Sequence, residues 1–179
     1  MSRAILRSVF FVVMGALLIN TNLNAQQGKS APSTQDVPAA PVPAQILNAK
    51  RVFIANGGTA VHAIRFVEFH GGPNRPYNEF YAAMKTWGRY ELVASPAEAD
   101  LVLEISYTSE GSAGDFSSLH LAIVDPKTHI LLWAMNERVE GAARIGHRDD
   151  NFDRGISALA GDVKNLDAQA KAAAERGQR

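Results

Sequence analysis

The sequence predicts an α/β chain of the α+β kind: a mixed, mostly antiparallel five-stranded sheet with two packing helices, in the order β-α-β-β-β-β-α. Three observations carry that expectation. Residues 101–107, 119–124 and 130–135 are apolar runs of strand length, and Asp125-Pro126-Lys127-Thr128 between the last two is good turn chemistry. Tyr77, Phe80, Tyr81, Met84 and Trp87 recur at three- and four-residue steps, which places them on one face of a helix. Phe152, Ile156, Leu159, Val163, Leu166 and Ala170 repeat that spacing as a seam long enough to cross a sheet. No internal repeat interrupts this order, so one sheet with two covering helices is the most economical layout.

Taken in order, residues 51–55 form a first strand, ended by Asn56-Gly57-Gly58. Residues 59–75 read as a long loop with one extended segment near 64–69. Pro76 opens the first helix, where its missing N–H costs nothing, and Gly88 suits the left-handed position just past the end. Residues 90–94 are a second strand, and Ser95-Pro96-Ala97-Glu98 has the capping-box pattern for one helical turn.

In the third strand Leu101, Leu103, Ile105 and Tyr107 share a core face, with Val102, Glu104 and Ser106 behind. Residues 108–118 read as a polar connection. The next two strands are apolar on both faces. A turn pairing Val124 with Ile130 groups Leu119, Leu121 and Ile123 with Leu131, Trp133 and Met135. His120, Ala122 and Val124 then lie opposite, with Ile130, Leu132 and Ala134. Strands of this kind are expected inside a sheet covered on both sides. With two helices on one face, Val102, Ala122 and Leu132 are left for a loop or a partner. His129 ends the turn where a left-handed residue is needed, and His is among the side chains enriched there. The last helix begins near Asp149-Asp150-Asn151, whose carboxylates complement its positive end.

Composition sets the address. Eighteen basic and eighteen acidic residues cancel among 179, which removes the electrostatic reason to expect nucleic acid or an anionic membrane as partner. Residues 1–25 combine Arg3 and Arg7, an apolar core and a small-residue end at Ala25, the pattern of a cleaved secretory signal peptide. The apolar core is shorter than the roughly 20 residues a membrane span needs. An uncleaved anchor is the alternative; after cleavage no stable membrane insertion is expected. Residues 26–45 hold four prolines and few large apolar side chains, so they read as a disordered Pro/Ala-rich linker. Residues 46–168 then form a single α/β domain and 169–179 a frayed tail. The expected location is periplasmic or secreted. There is no cysteine, which excludes disulfides, a thiolate nucleophile, zinc–cysteine sites and a lipid-modified amino-terminal cysteine.

The residues name no catalytic or cofactor-binding group. Asn56-Gly57-Gly58-Thr59 lacks both G-x-G-x-x-G and the G-K-[ST] ending, and no G-x-S-x-G elbow exists. Glu98 and Asp100 are accounted for by capping and strand entry, and mid-strand His120 by one hydrogen bond in a half-buried site. For a metal, His62, Glu68, His70 and His147 are the candidates by residue type, but the H-E-x-x-H helical spacing is absent and no site is assigned.

One resemblance rests on specific stretches. They are residues 76–93 (PYNEFYAAMKTWGRYELV), 96–105 (PAEADLVLEI), Asp125-Pro126-Lys127-Thr128 with Leu132-Trp133, and Asn151-Phe152-Asp153. Over roughly residues 50 to 167 the chain resembles a family of small exported bacterial proteins of unknown function. More distantly its layout is similar to the amino-terminal α/β domain of TolB and to curli-secretion-type lipoproteins. That resemblance implies a role in envelope protein assemblies rather than catalysis. The chain departs from it in having no lipobox cysteine, no β-propeller, and His129 where such turns commonly carry Gly. The expectation is an exported, non-enzymatic envelope or secreted domain, a protein-interaction or assembly accessory module. The alternative is a small-ligand or metal-binding periplasmic protein. Partner surfaces to consider are the 56–75 loop with His70 and Arg75, and the exposed sheet edge. The sequence leaves the oligomeric state open.

Overall fold

A computed structural model describes residues 40–61, 70–110 and 116–177. Helix α1 (Ala44–Asn48) leads into β1 (Arg51–Val61), α2 (Arg75–Trp87) and the short β2 (Glu91–Leu92). A 3-10 turn at Pro96–Glu98 precedes β3 (Leu101–Glu110), β4 (Phe116–Val124), β5 (Leu131–Val139) and α3 (Ile145–Gly177). The strands form one mixed sheet in the order β2-β1-β3-β4-β5. β1 runs parallel to β2 and β3, whereas β3, β4 and β5 are an antiparallel meander. The α+β class and the mostly antiparallel five-stranded sheet are as the sequence implies.

The core lies between one sheet face and the helices. Val52, Ile54, Leu101, Leu103, Ile105, Tyr107, Leu119, Leu121 and Ile123 are buried against Phe80 and Met84 of α2 and Phe152, Ile156, Leu159, Val163 and Leu166 of α3. Each such side chain contributes about 1.5–3 kcal/mol on burial. The two predicted stripes are therefore core. The caps also follow local rules: Gly88 has φ 67° and its N–H donates to the Met84 carbonyl, while Ser95 accepts from the Ala97 N–H.

Several elements differ from the sequence reading. β1 does not stop at Asn56 but continues to Val61 through an irregularity between Asn56 and Gly58. A Cβ at Gly57 would lie 3.1 Å from the Ile105 carbonyl oxygen, and Gly58 has φ 90°, so glycines here let the strand continue in place of ending it. β3 and β4 extend into the stretch read as a polar connection. Val42 packs on the core and α1 starts at Ala44, so the end of the stretch read as linker is part of the folded domain. α3 starts at Ile145 and runs to Gly177, past the expected frayed end at 169, with Ala170 buried. Alanine-rich sequence has the highest helix propensity, and the seam holds its far end to the core. The proposed signal peptide lies outside the described residues, as do most of the linker and the extended segment near 64–69.

The largest correction concerns β4 and β5. β4 lies inside the sheet, paired with β3 and β5, but β5 is an edge strand, and among the described residues the helices cover one face of both. The register also differs: Ile123 pairs with Trp133 but Val124 pairs with Leu131, leaving Leu132 as the extra residue of a bulge. Leu131 thereby joins Val124 on the outer face, while Leu132 packs against the core. Their predicted sides are exchanged.

Candidate interaction surface

Two places gather side chains that the fold alone does not require. The first is built on Arg75, in the first turn of α2. Its Nε donates to Glu79 Oε1, its Nη1 to Asp149 Oδ1 and its Nη2 to Asp153 Oδ1, each at 2.5 Å. The same Nη1 donates to the His70 carbonyl at 2.9 Å, and the guanidinium lies 4.7 Å from the Phe152 ring centroid. Asp149 in turn accepts from the His70 N–H at 2.8 Å and contacts the His70 ring at Nδ1. Thus the start of α2, the start of α3 and His70 are tied at one point.

The electrostatics follow from that geometry. Burial opposes the charge on Arg75, but hydrogen bonds to Glu79 and Asp149 and the nearby carboxylates outweigh it, so its pKa is raised. Burial, with Asp153 nearby, raises the Glu79 carboxyl against the opposing pull of Arg75. The hydrogen bond from the His70 ring, then its N–H and Arg75, hold Asp149 down at about 2. An open cleft of about 410 Å³ borders the site, lined by His70, Gly71, Arg75, Asn78, Glu79 and Asp149. Arg75 already holds three carboxylates and is 12% exposed, so it is a structural node and not the free docking residue envisaged from sequence.

The metal candidates fare as follows. His62 and Glu68 lie outside the described residues. His70 is 68% exposed and engaged by Asp149, and His147 is an exposed residue of α3. Among the described residues no group of three or more His, Asp and Glu could hold a metal ion. In the cluster of Glu79, Asp149 and Asp153 the Arg75 guanidinium supplies the cation. His120 is half-buried on the sheet, with Nε2 2.9 Å from the Thr108 hydroxyl.

A second knot holds the other end of α3. Arg89 donates to Asp167 at 3.1 Å and to the carbonyls of Ala49 and Leu47, while Lys171 donates to Asp167 at 2.6 Å. Asp100 accepts from the N–H groups of Arg51 and Lys50, which lowers its pKa and fastens the entries of β1 and β3 together. On the inner side of β5, burial and a hydrogen bond with Asp162 push the Glu137 carboxyl up.

The second place is the outer face of the sheet. The described helices all pack on the opposite side, against the core residues named above. Pairing places Phe53 beside Val102, Val102 beside Val124 and Val124 beside Leu131, an apolar row across four strands. The next rows change character stepwise. Ala55, Glu104, Ala122 and Ala134 come next, then Gly58, Ser106, His120 and Asn136, then Ala60, Thr108, Ser118 and Arg138. The face is graded from apolar to polar along the strands. At its apolar end Leu131 is 56% and Ile130 59% exposed, the large hydrophobic side chains that stand in solvent among the described residues. Large exposed apolar side chains contiguous with an apolar row mark contact surfaces. Sequence reasoning found Val102 and Ala122 here but missed Leu131, because the bulge that turns it outward leaves no signal in the apolar run itself.

Fold and site together define a two-layer α+β domain in which, among the described residues, helices cover one sheet face and not the other. No family model matches the sequence, and no curated protein matches it. Among solved structures, the chain is similar to the LpoB carboxy-terminal domain from Salmonella enterica at 12% identity and TM-score 0.38, covering 51% of this chain and 84% of that one. It is similar to a PelC dodecamer subunit from Paraburkholderia phytofirmans at 13% identity and TM-score 0.42, covering 68% and 86%. The lipoprotein GNA1162 from Neisseria meningitidis aligns at 15% identity and TM-score 0.38, covering 65% and 99%. These are distant likenesses of layout, and they carry no argument about this chain's partners. No helix among the described residues is long and apolar enough to cross a membrane.

Proposed function

We propose that this chain is an exported, non-enzymatic module of the envelope or the secreted space that docks a protein partner on the open face of its sheet. The export pattern of residues 1–25 motivates the address. The carrying observation is the row Phe53–Val102–Val124–Leu131, which lies outside the core and ends on a leucine 56% exposed. An apolar row with a polar far side has the anatomy of an interface, dry where contact is made and wet at the rim.

Site-specific photo-crosslinking in cells tests it. A photoreactive residue at Leu131 is expected to give discrete protein adducts, and one at the exposed Lys85 of α2, on the helical side, to give none. Equal adduct patterns at both positions, or no adduct at Leu131 and Phe53, would sink the reading.

A further inference from the structure

We infer that the protein seated on this face is a second copy of the same chain, packed sheet to sheet about a two-fold axis parallel to the strands. This rests on the docking reading above and names its partner. The argument begins from the gradient. A two-fold axis across the strands would lay the apolar row against the row ending in Arg138 and bury unpaired polar groups. An axis along the strands lays the apolar row on itself, reversed. That reversal sets Phe53 over Leu131 of the partner copy and Val102 over its Val124. The row runs large, small, small, large, so it matches its own reverse in size as well as in polarity.

Charge sets the limit on the same axis. Glu104 and Arg138 are the charged side chains of the four rows, one of each sign. The axis places Arg138 on β5 over β1 of the other copy, away from its like. It places Glu104 over Ala122, so the two Glu104 side chains flank the axis one strand apart, a like-charge approach that the apolar row has to offset. Area is sufficient as well. Four strands about 4.8 Å apart and about 30 Å long give a plan area on the order of 500 Å². With side-chain relief that approaches the roughly 800 Å² per partner of a standard interface. Two twisted sheets packed about 10 Å apart at about −30° keep the row in register.

The absence of cysteine makes a direct test possible, because any introduced thiol is the only one. The chain without residues 1–25 is examined by sedimentation as wild type and as Leu131→Glu, with circular dichroism to show that both fold. The expected result is a dimer whose dissociation constant rises roughly thirtyfold in Leu131→Glu. In the second arm, single-thiol chains Phe53→Cys and Leu131→Cys are mixed with a short bis-maleimide. Mixed 53–131 links are expected to form faster than 53–53 or 131–131 links. A folded wild type that stays monomeric at roughly 100 μM overturns the inference, as does a dimer indifferent to Leu131→Glu, or a preference for 53–53 links. Adducts from Leu131 to a different protein, with a monomeric chain, overturn the self-pairing and leave the docking reading standing. Failure of both arms and of the crosslinking removes both.

Discussion

Arg75 and Asp149 are 74 positions apart in sequence, yet Nη1 of the first lies 2.5 Å from Oδ1 of the second. This contact fastens the first turn of α2 to the first turns of α3, and Glu79, Asp153 and the His70 carbonyl close around the same guanidinium. Neither helix holds the other by its apolar stripe alone, because both stripes face the sheet.

Removing the cation should therefore cost more than removing any one anion. Arg75→Met leaves Glu79, Asp149 and Asp153 facing one another, and the expected loss is about 2–3 kcal/mol in urea unfolding. Asp153→Asn, at a carboxylate 56% exposed, should cost less than about 1 kcal/mol. Equal losses for the two variants would show that the node contributes packing and not charge.

The Asp149 carboxyl should shape the acid limb of stability. Its folded pKa of about 2 lies below the ordinary value near 3.9, so the unfolded chain takes up its proton first. The stabilisation it supplies is complete above about pH 4 and is lost as pH falls from there through about 2. Asp149→Asn should be less stable than wild type at neutral pH, with the gap closing across that window. Urea midpoints measured between neutral pH and pH 2 check this; a gap constant with pH would assign the loss to packing.

Gly155 sets how closely α3 approaches the sheet. A Cβ there would lie 3.1 Å from Leu119 Cδ1 and 3.1 Å from Val139 Cγ2. Gly155→Leu should cost at least about 1–3 kcal/mol by overpacking, despite its better helix propensity. Gly161, with open space around the same position, should gain stability as Gly161→Ala, by up to about 1 kcal/mol. Thermal unfolding of the pair gives the comparison, and a stable Gly155→Leu chain would contradict the close approach.

Much of this was legible from local pattern. The stripes of α2 and α3 were readable because 3.6-residue periodicity survives in any helix with one buried face. The left-handed turn at His129, found with φ 57°, followed from turn chemistry, and Asp125 fixes that turn by accepting from the Lys127 N–H and the Thr128 hydroxyl. Harder to read were the continuation of β1 through Gly57 and Gly58, the two-residue span of β2 and the early start of α3. Each depends on a neighbour distant in sequence: β3 beside β1, β1 beside β2, Arg75 beside Asp149.

What the sequence alone determined is the material: the main strand and helix segments, which helix faces are apolar, and the absence of cysteine chemistry. What only the tertiary structure decided is the arrangement of the second sheet face. Strand alternation says that Leu131 and Leu132 point opposite ways but not which way, and a single bulge at the β4–β5 pairing reverses the answer. Register is a relation between two strands. The exposed end of the row therefore exists only once those strands have met.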